Sequence, residues 1–174
     1  QAYNNLGVVL LELGKYQEAI NSYQKAIEID PSYKDALNNV GGIFKELGQY
    51  EKAISFYEKL IKIDPNYKVA LNNVGTVFKE LGQYEKAMSF YEKVIKIDPN
   101  FIHAHFNRGV LLYEIGKYEN AMEVLKLINF KNSNSYLLSC LFRLNKPSNF
   151  QELLNKMIKI KDGNSFDAII GSSC

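Results

Sequence analysis

Asn5, Asn39, Asn73 and Asn107 stand 34 residues apart, with Asn4, Asn38 and Asn72 beside the first three. A side-chain amide carries the same donor and acceptor as a peptide bond. One such amide per structural repeat would clasp the main chain of an extended polypeptide, whatever its side chains. Packed helices lie roughly 8 to 10 Å apart and an extended strand rises about 3.3 Å per residue, so one rung would meet about every third ligand residue. A net hydrogen bond contributes about 1 kcal/mol, and four give only about millimolar affinity. Strength and specificity must come from flanking groups. Phe106 and Tyr113 are the expected anchors, because they break the Asn and Lys pattern of the other repeats and aromatic residues dominate binding hot spots; the alternative is that both rings pack against the chain that follows. Lys45, Lys79, Glu46 and Glu80, with Glu12 and Glu114, would select among charged ligands or are simply solvated. The same alternative stands for the asparagines, as solvated polar residues of an inner face.

Other chemistry has little support. His103 and His105 are the only histidines, and residues two apart point to opposite sides of a helix, so they cannot chelate a metal together. No nucleophile motif or phosphate-cradling glycine loop is present; the Gly41-Gly42 pair lies inside a helical pattern and is assigned to packing. No catalytic residue, cofactor or metal is expected. Cys140 and Cys174 lack the spacing of a disulfide or zinc framework, and Cys140 falls on an apolar stripe, which together fit a reducing, cytoplasmic setting. The 21 basic and 19 acidic residues are mixed along the chain, giving a formal net charge of +2, without the footprint of nucleic-acid binding. The run Lys156, Lys159 and Lys161 is read as one solvated helix edge. No apolar run approaches the roughly 20 residues a membrane helix needs, and the first 15 residues lack the order of a secretory signal.

The elements that position these residues follow from one repeat. Lys34 to Tyr67 recurs as Lys68 to Phe101 with only six differences over 34 residues, which implies one helical unit copied along an axis, each copy burying its apolar face against its neighbours. Within a unit, a first helix carries the stripe Leu37, Val40, Phe44 and Leu47, answered in the opening unit by Tyr3, Leu6, Leu10 and Leu13. Gly14, Gly48, Gly82 and Gly116 then end it, since Gly tolerates the left-handed conformation of a helix terminus. A second helix begins near Tyr16 and its equivalents. Asp30-Pro31, Asp64-Pro65 and Asp98-Pro99 close the units, with the Asp expected as cap and the Pro as first position of the next helix. Gly7, Gly41, Gly75 and Gly109, with Ala19, Ala53, Ala87 and Ala121, mark close helix approaches. Off the apolar stripe, Asp35, Asn38, Asn39, Gly42, Lys45 and Glu46 share one face.

These residues resemble the tetratricopeptide repeat family. The likeness is carried by Leu6-Gly7, Val40-Gly41 and Val74-Gly75, then Tyr16, Tyr50, Tyr84 and Tyr118, the four alanines, and Pro31, Pro65 and Pro99. It covers residues 1 to about 130; Arg108 and Ser133 depart from the pattern in the fourth unit. The resemblance implies an all-α, right-handed superhelical solenoid of antiparallel helix pairs, whose concave wall is lined by the first helix of each pair and usually holds the ligand. The asparagine series resembles the ladder in the repeat domain of O-linked N-acetylglucosamine transferase. The family's carboxylate clamp is rejected, because its lysine places are Asn4 and Val69, its arginine place is Asn73 and its further asparagine place is Val8, so only Asn39 fits.

The units are read as residues 1–33, 34–67, 68–101 and 102–132, followed by a degenerate fifth pair over 133–160 and a further helix start or tail over 161–174. In the fifth pair Asn145 to Ser148 forms the turn, with Ser148 or Asn149 as helix cap. Phe166, Ala168, Ile169 and Ile170 would open another helix. The chain starts at Gln1, without a Met and already inside a helical pattern, which reads as an excised piece of something longer. The expected function is a non-catalytic module that binds an extended peptide or protein segment. The alternatives are the repeat domain of a larger enzyme, such as a glycosyltransferase, and self-assembly through an N-terminal edge that exposes Leu6, Val9 and Leu10.

Overall fold

A computed structural model describes residues 1–128 and 133–164, with the side chains of Lys156 and of residues 158–164 excepted. Ten helices follow one another without a strand among the described residues: α1 (Ala2–Glu12), α2 (Tyr16–Ile29), α3 (Lys34–Glu46), α4 (Tyr50–Ile63), α5 (Lys68–Glu80), α6 (Tyr84–Ile97), α7 (Ile102–Glu114), α8 (Tyr118–Lys126), α9 (Ser133–Arg143) and α10 (Pro147–Asn164). The chain divides between Ala104 and His105 into two compact units. In the first, α1 pairs with α2, α3 with α4 and α5 with α6, while α2 packs on α3 and α4 on α5. In the second, α8 packs on α9 and α9 on α10.

Each pair turns on one device. After α1, the Gly14 N–H bonds the Leu11 carbonyl and the Lys15 N–H bonds the Leu10 carbonyl, both at 2.9 Å. This closure needs a left-handed residue, and Gly14, Gly48, Gly82 and Gly116 have φ of 71°, 68°, 70° and 80°. The degenerate pair keeps it without glycine. Asn145 takes φ 51°, and the Asn145 and Lys146 N–H groups bond the Phe142 and Leu141 carbonyls at 3.1 and 3.0 Å. Pro147 then occupies the first helical position of α10, where its missing N–H costs nothing. Ser148 and Asn149 therefore lie inside the first turn rather than capping it.

The Asp-Pro steps also differ from the expectation. Asp64 ends α4 in extended backbone, and α5 starts only at Lys68, four residues on. The reason is an Asx turn, in which the Asn66 N–H bonds the Asp64 carboxylate at 3.1 Å, while Lys34 Nζ reaches the same carboxylate at 2.7 Å. Asp98 repeats this with Lys68 and the Asn100 N–H, and Asp30 with Ser32. The Lys34 ammonium, then the Asn66 N–H, hold the Asp64 carboxyl below its usual range; Lys68 and the Asn100 N–H do so for Asp98, and the Ser32 hydroxyl and N–H for Asp30. A carboxyl lowered in the folded state contributes stability that is complete above its unfolded-state value, about 4, and vanishes as pH falls through the folded-state value. The wild type is thus expected to lose stability below about pH 4 more steeply than the Asp64→Asn/Asp98→Asn double variant. Parallel acid limbs in denaturant unfolding would refute this.

Burial follows the repeat where a helix has a neighbour. Leu37, Val40 and Ile43 of α3 are essentially inaccessible beneath α2, and Tyr23, Tyr57 and Tyr91 are fully buried. Ala19, Ala53, Ala87 and Ala121 are fully buried too. The small residues explain the close approach: a Cβ on Gly7, Gly41 or Gly75 would lie 2.6–2.7 Å from the ring of Tyr23, Tyr57 or Tyr91, and one on Gly109 would lie 2.7 Å from Leu125. Packing does not explain Gly42, whose Cβ would meet open space. On α1 the matching stripe stays in water, with Tyr3, Leu6 and Val9 40–51 % exposed and Leu13 67 %, because no described helix lies over it as α2 lies over α3. Leu47, which ends the α3 stripe, is also exposed.

Candidate functional site

Each asparagine of the ladder sits in the first helix of a pair: Asn5 on α1, Asn39 on α3, Asn73 on α5 and Asn107 on α7. Asn5 is exposed, and Asn39, Asn73 and Asn107 are half-buried. Their neighbours divide. Asn38 is half-buried, whereas Asn4 and Asn72 are only 7 % and 8 % exposed. Those two amides are buried and so are withdrawn from the expected binding face, although Asn38, at the same place in its repeat, is not.

The rungs are also engaged within the protein. Asn73 Nδ2 donates to Asn38 Oδ1 at 3.3 Å, tying α5 to α3, and Gln1 Nε2 donates to Asn5 Oδ1 at 3.1 Å. Burial pushes the Tyr23 hydroxyl above its ordinary range, with the Asn39 amide opposing and the Glu12 charge adding to the shift. Tyr23 Oη nonetheless makes no hydrogen bond of good geometry. An amide has two N–H donors and two acceptor lone pairs, so Asn73 keeps one donor and its carbonyl for a ligand. Val8 and Gly42, one turn on, are exposed and half-buried, and at the same place Thr76 fills the space that Gly42 leaves. The Thr76 hydroxyl bonds the Asn72 carbonyl at 3.1 Å and receives Tyr91 Oη at 3.5 Å.

Among the flanking charges, Lys79 pairs with Glu80 at 3.1 Å, while Lys45 is half-buried and Glu46 exposed. The aromatic pair is committed to the fifth helix pair. Phe106 and Tyr113 both stand edge-on to Tyr136 of α9, with ring centroids 5.8 and 5.5 Å apart, and Tyr113 also contacts Tyr118 at 5.6 Å. Tyr113 still presents a wall to a groove of about 310 Å³ that is completed by Leu138, Ser139, Phe142, Arg143 and Phe150. The pattern reading misses this groove. Its one legible signal is Phe142, an aromatic residue just past the buried Leu141 and off the apolar stripe.

His103 is exposed and His105 half-buried, and no cluster of three or more His, Cys, Asp or Glu side chains among the described residues could hold a metal. Cys140 is fully buried, and burial pushes its thiol up to about 11. Lys156, Lys159 and Lys161 lie on α10, with side chains outside the described set, as are Phe166, Ala168, Ile169, Ile170 and Cys174. No helix among the described residues is long and apolar enough to cross a membrane.

Known proteins share this chain's repeat and fold. The tetratricopeptide repeat model matches residues 1–33 and 35–67, a second tetratricopeptide model matches 56–88, and a TPR repeat model matches 75–116. A curated relative, small glutamine-rich tetratricopeptide repeat-containing protein 2 of Mycosarcoma maydis, is 53 % identical over 32 residues, which is 18 % of this chain and 9 % of that protein. A tetratricopeptide repeat protein from Parabacteroides merdae has a TM-score of 0.76 at 22 % identity, over 90 % of this chain and 63 % of that one. MamA from Desulfovibrio magneticus RS-1 has a TM-score of 0.78 at 20 % identity, over 93 % and 94 %. At these identities the structures establish the fold, an all-α solenoid of helix pairs. With matched models running from residue 1 to 116, and with the recurrent glycine closure and glycine–tyrosine packing in place, the chain belongs to the tetratricopeptide repeat family, whose members are typically non-catalytic protein-interaction scaffolds.

Proposed function

We propose that this chain is a non-catalytic module that holds an extended peptide or protein segment along α1, α3 and α5, on the face carrying Asn5, Asn39 and Asn73. The observation that carries the reading is the half-buried pair Asn39 and Asn73, spaced by one repeat and retaining amide capacity. Lowered solvation strengthens a hydrogen bond to a ligand main chain. Asn38, Gly42, Lys45 and Glu46 border the same face, and the openness above Gly42 leaves room for a ligand backbone.

Binding to a library of unstructured peptides, repeated with the Asn39→Ala/Asn73→Ala double variant, tests this. Broad loss of binding, on the order of tenfold or more, is the expected result, with thermal unfolding checking that the variant stays folded. Peptides bound equally by both proteins would refute the ladder. A second reading, self-association, is favoured by the exposed Tyr3, Leu6, Val9 and Leu13 of α1. It requires the mass in sedimentation equilibrium to rise with concentration and Leu6→Glu to abolish the rise.

A further inference from the structure

The groove of the second unit has a composition that selects a ligand. Tyr113, Leu138, Phe142 and Phe150 give it apolar walls, and Arg143 is its one charged side chain among the described residues. Its volume of about 310 Å³ lies at the small end of ligand sites, about 300 to 1,000 Å³, so it suits one large side chain rather than a cofactor. The Tyr113 wall is held in place by its ring contacts to Tyr118 and Tyr136. Phe142 leaves 74 % of its surface in water, so its ring is open to a partner from the groove side. Ser139 Oγ donates to the Ser135 carbonyl at 2.9 Å, so its donor is committed. Arg143, the last residue of α9, is exposed and makes no ion pair or hydrogen bond with a described residue. Among the described residues no acidic side chain lines the groove.

An apolar slot beside one unpaired guanidinium complements a ligand that carries an aromatic side chain next to a carboxylate. We infer that the groove between α7, α9 and α10 is an anchor site for a partner segment in which an aromatic residue adjoins a carboxylate. The ring fills the space between Tyr113, Phe142 and Phe150, and the carboxylate pairs with Arg143. The two forked N–H donors of a guanidinium match a carboxylate in geometry as well as charge. This rests on the reading of the chain as a protein-binding module but not on the asparagine ladder, which uses other helices.

The test is an NMR titration of the full chain with two small probes, N-acetyl-phenylalanine and its C-terminal amide, which differ only in the carboxylate. The acid is expected to shift the Leu138, Phe142 and Phe150 resonances and to bind about tenfold more tightly than the amide, the difference typical of one charge-assisted pair. Arg143→Gln should equalise the two probes, and Phe142→Ala should weaken both; each changes an exposed side chain. The Asn39→Ala/Asn73→Ala variant should keep the preference, which separates failure of the ladder from failure of this site. Equal binding of acid and amide to the wild type overturns the inference, as does silence of the groove with both probes. Binding that appears only in a chain ending at Asn164 also overturns it, because the groove would then be covered by the chain's own last ten residues.

Discussion

Gly41→Ala lowers the stability of this protein by about 1–3 kcal/mol, and the same change one residue later raises it by about 1 kcal/mol. Both glycines lie inside α3, where alanine is the better helix former. The difference lies in what a methyl group meets. At Gly41 it would stand 2.7 Å from Tyr57 Cε1 and 3.0 Å from Cζ, and the fully buried ring has nowhere to move, so overpacking outweighs the gain in helix propensity. At Gly42 it would meet nothing within 4 Å, and the propensity gain stands alone. Thermal and denaturant unfolding of the two variants beside the wild type decides the matter. Shifts of the same sign would show that the Tyr57 ring does not set the helix approach. A Gly42→Ala protein that is more stable yet binds the selected peptides less well would also place a ligand above Gly42.

Tyr57 gives the second large effect. Tyr57→Ala costs about 3–5 kcal/mol, the usual loss for a large buried aromatic. Tyr57→Phe is expected to gain about 1 kcal/mol, because an unsatisfied buried polar atom is a net cost and Tyr57 Oη has no partner. Its repeat equivalent differs, since Tyr91 Oη reaches the Thr76 hydroxyl at 3.5 Å, so Tyr91→Phe should bring no such gain. The pH dependence carries the same information. Burial, helped by the Glu46 charge, pushes the Tyr57 hydroxyl far above its ordinary range. Above about pH 10 the unfolded chain therefore releases this proton while the folded chain keeps it, and stability falls as pH rises. Tyr57→Phe should flatten the alkaline limb of stability against pH, leaving the contributions of the other groups that burial raises, Tyr23, Tyr67 and Cys140. An unchanged limb, or a loss on Tyr57→Phe, would mean that the hydroxyl has a partner in solution.

The repeat made much of this architecture legible. Gly14, Gly48, Gly82 and Gly116 were identifiable as helix ends because a left-handed closure favours glycine, and the four φ values follow. Gly7, Gly41, Gly75 and Gly109 marked close contacts because a mid-helix glycine is unfavourable without one. The same logic failed at Gly42, which shares a residue type with Gly41 but faces the opposite environment. Asp64-Pro65 looked like a cap, yet the Asp carboxylate engages Asn66 and Lys34, and the helix waits until Lys68. Lys34 is 30 residues away, so no local pattern could have named that partner.

At the site, the sequence by itself determined which residue types recur and on which helices: an amide in the first helix of each pair, and aromatic substitutions at Phe106 and Tyr113. The tertiary structure decided which of those groups stay open to solvent and which meet the protein. It turned Asn4 and Asn72 inward, joined Asn73 to Asn38, packed Phe106 and Tyr113 on Tyr136, and assembled a groove around Phe142 and Arg143. The physical reason is that periodicity fixes the direction of a side chain relative to its own helix, whereas burial and hydrogen bonding depend on the neighbouring helix. Leu6 and Val40 hold equivalent places in the repeat, and only Val40 has α2 above it.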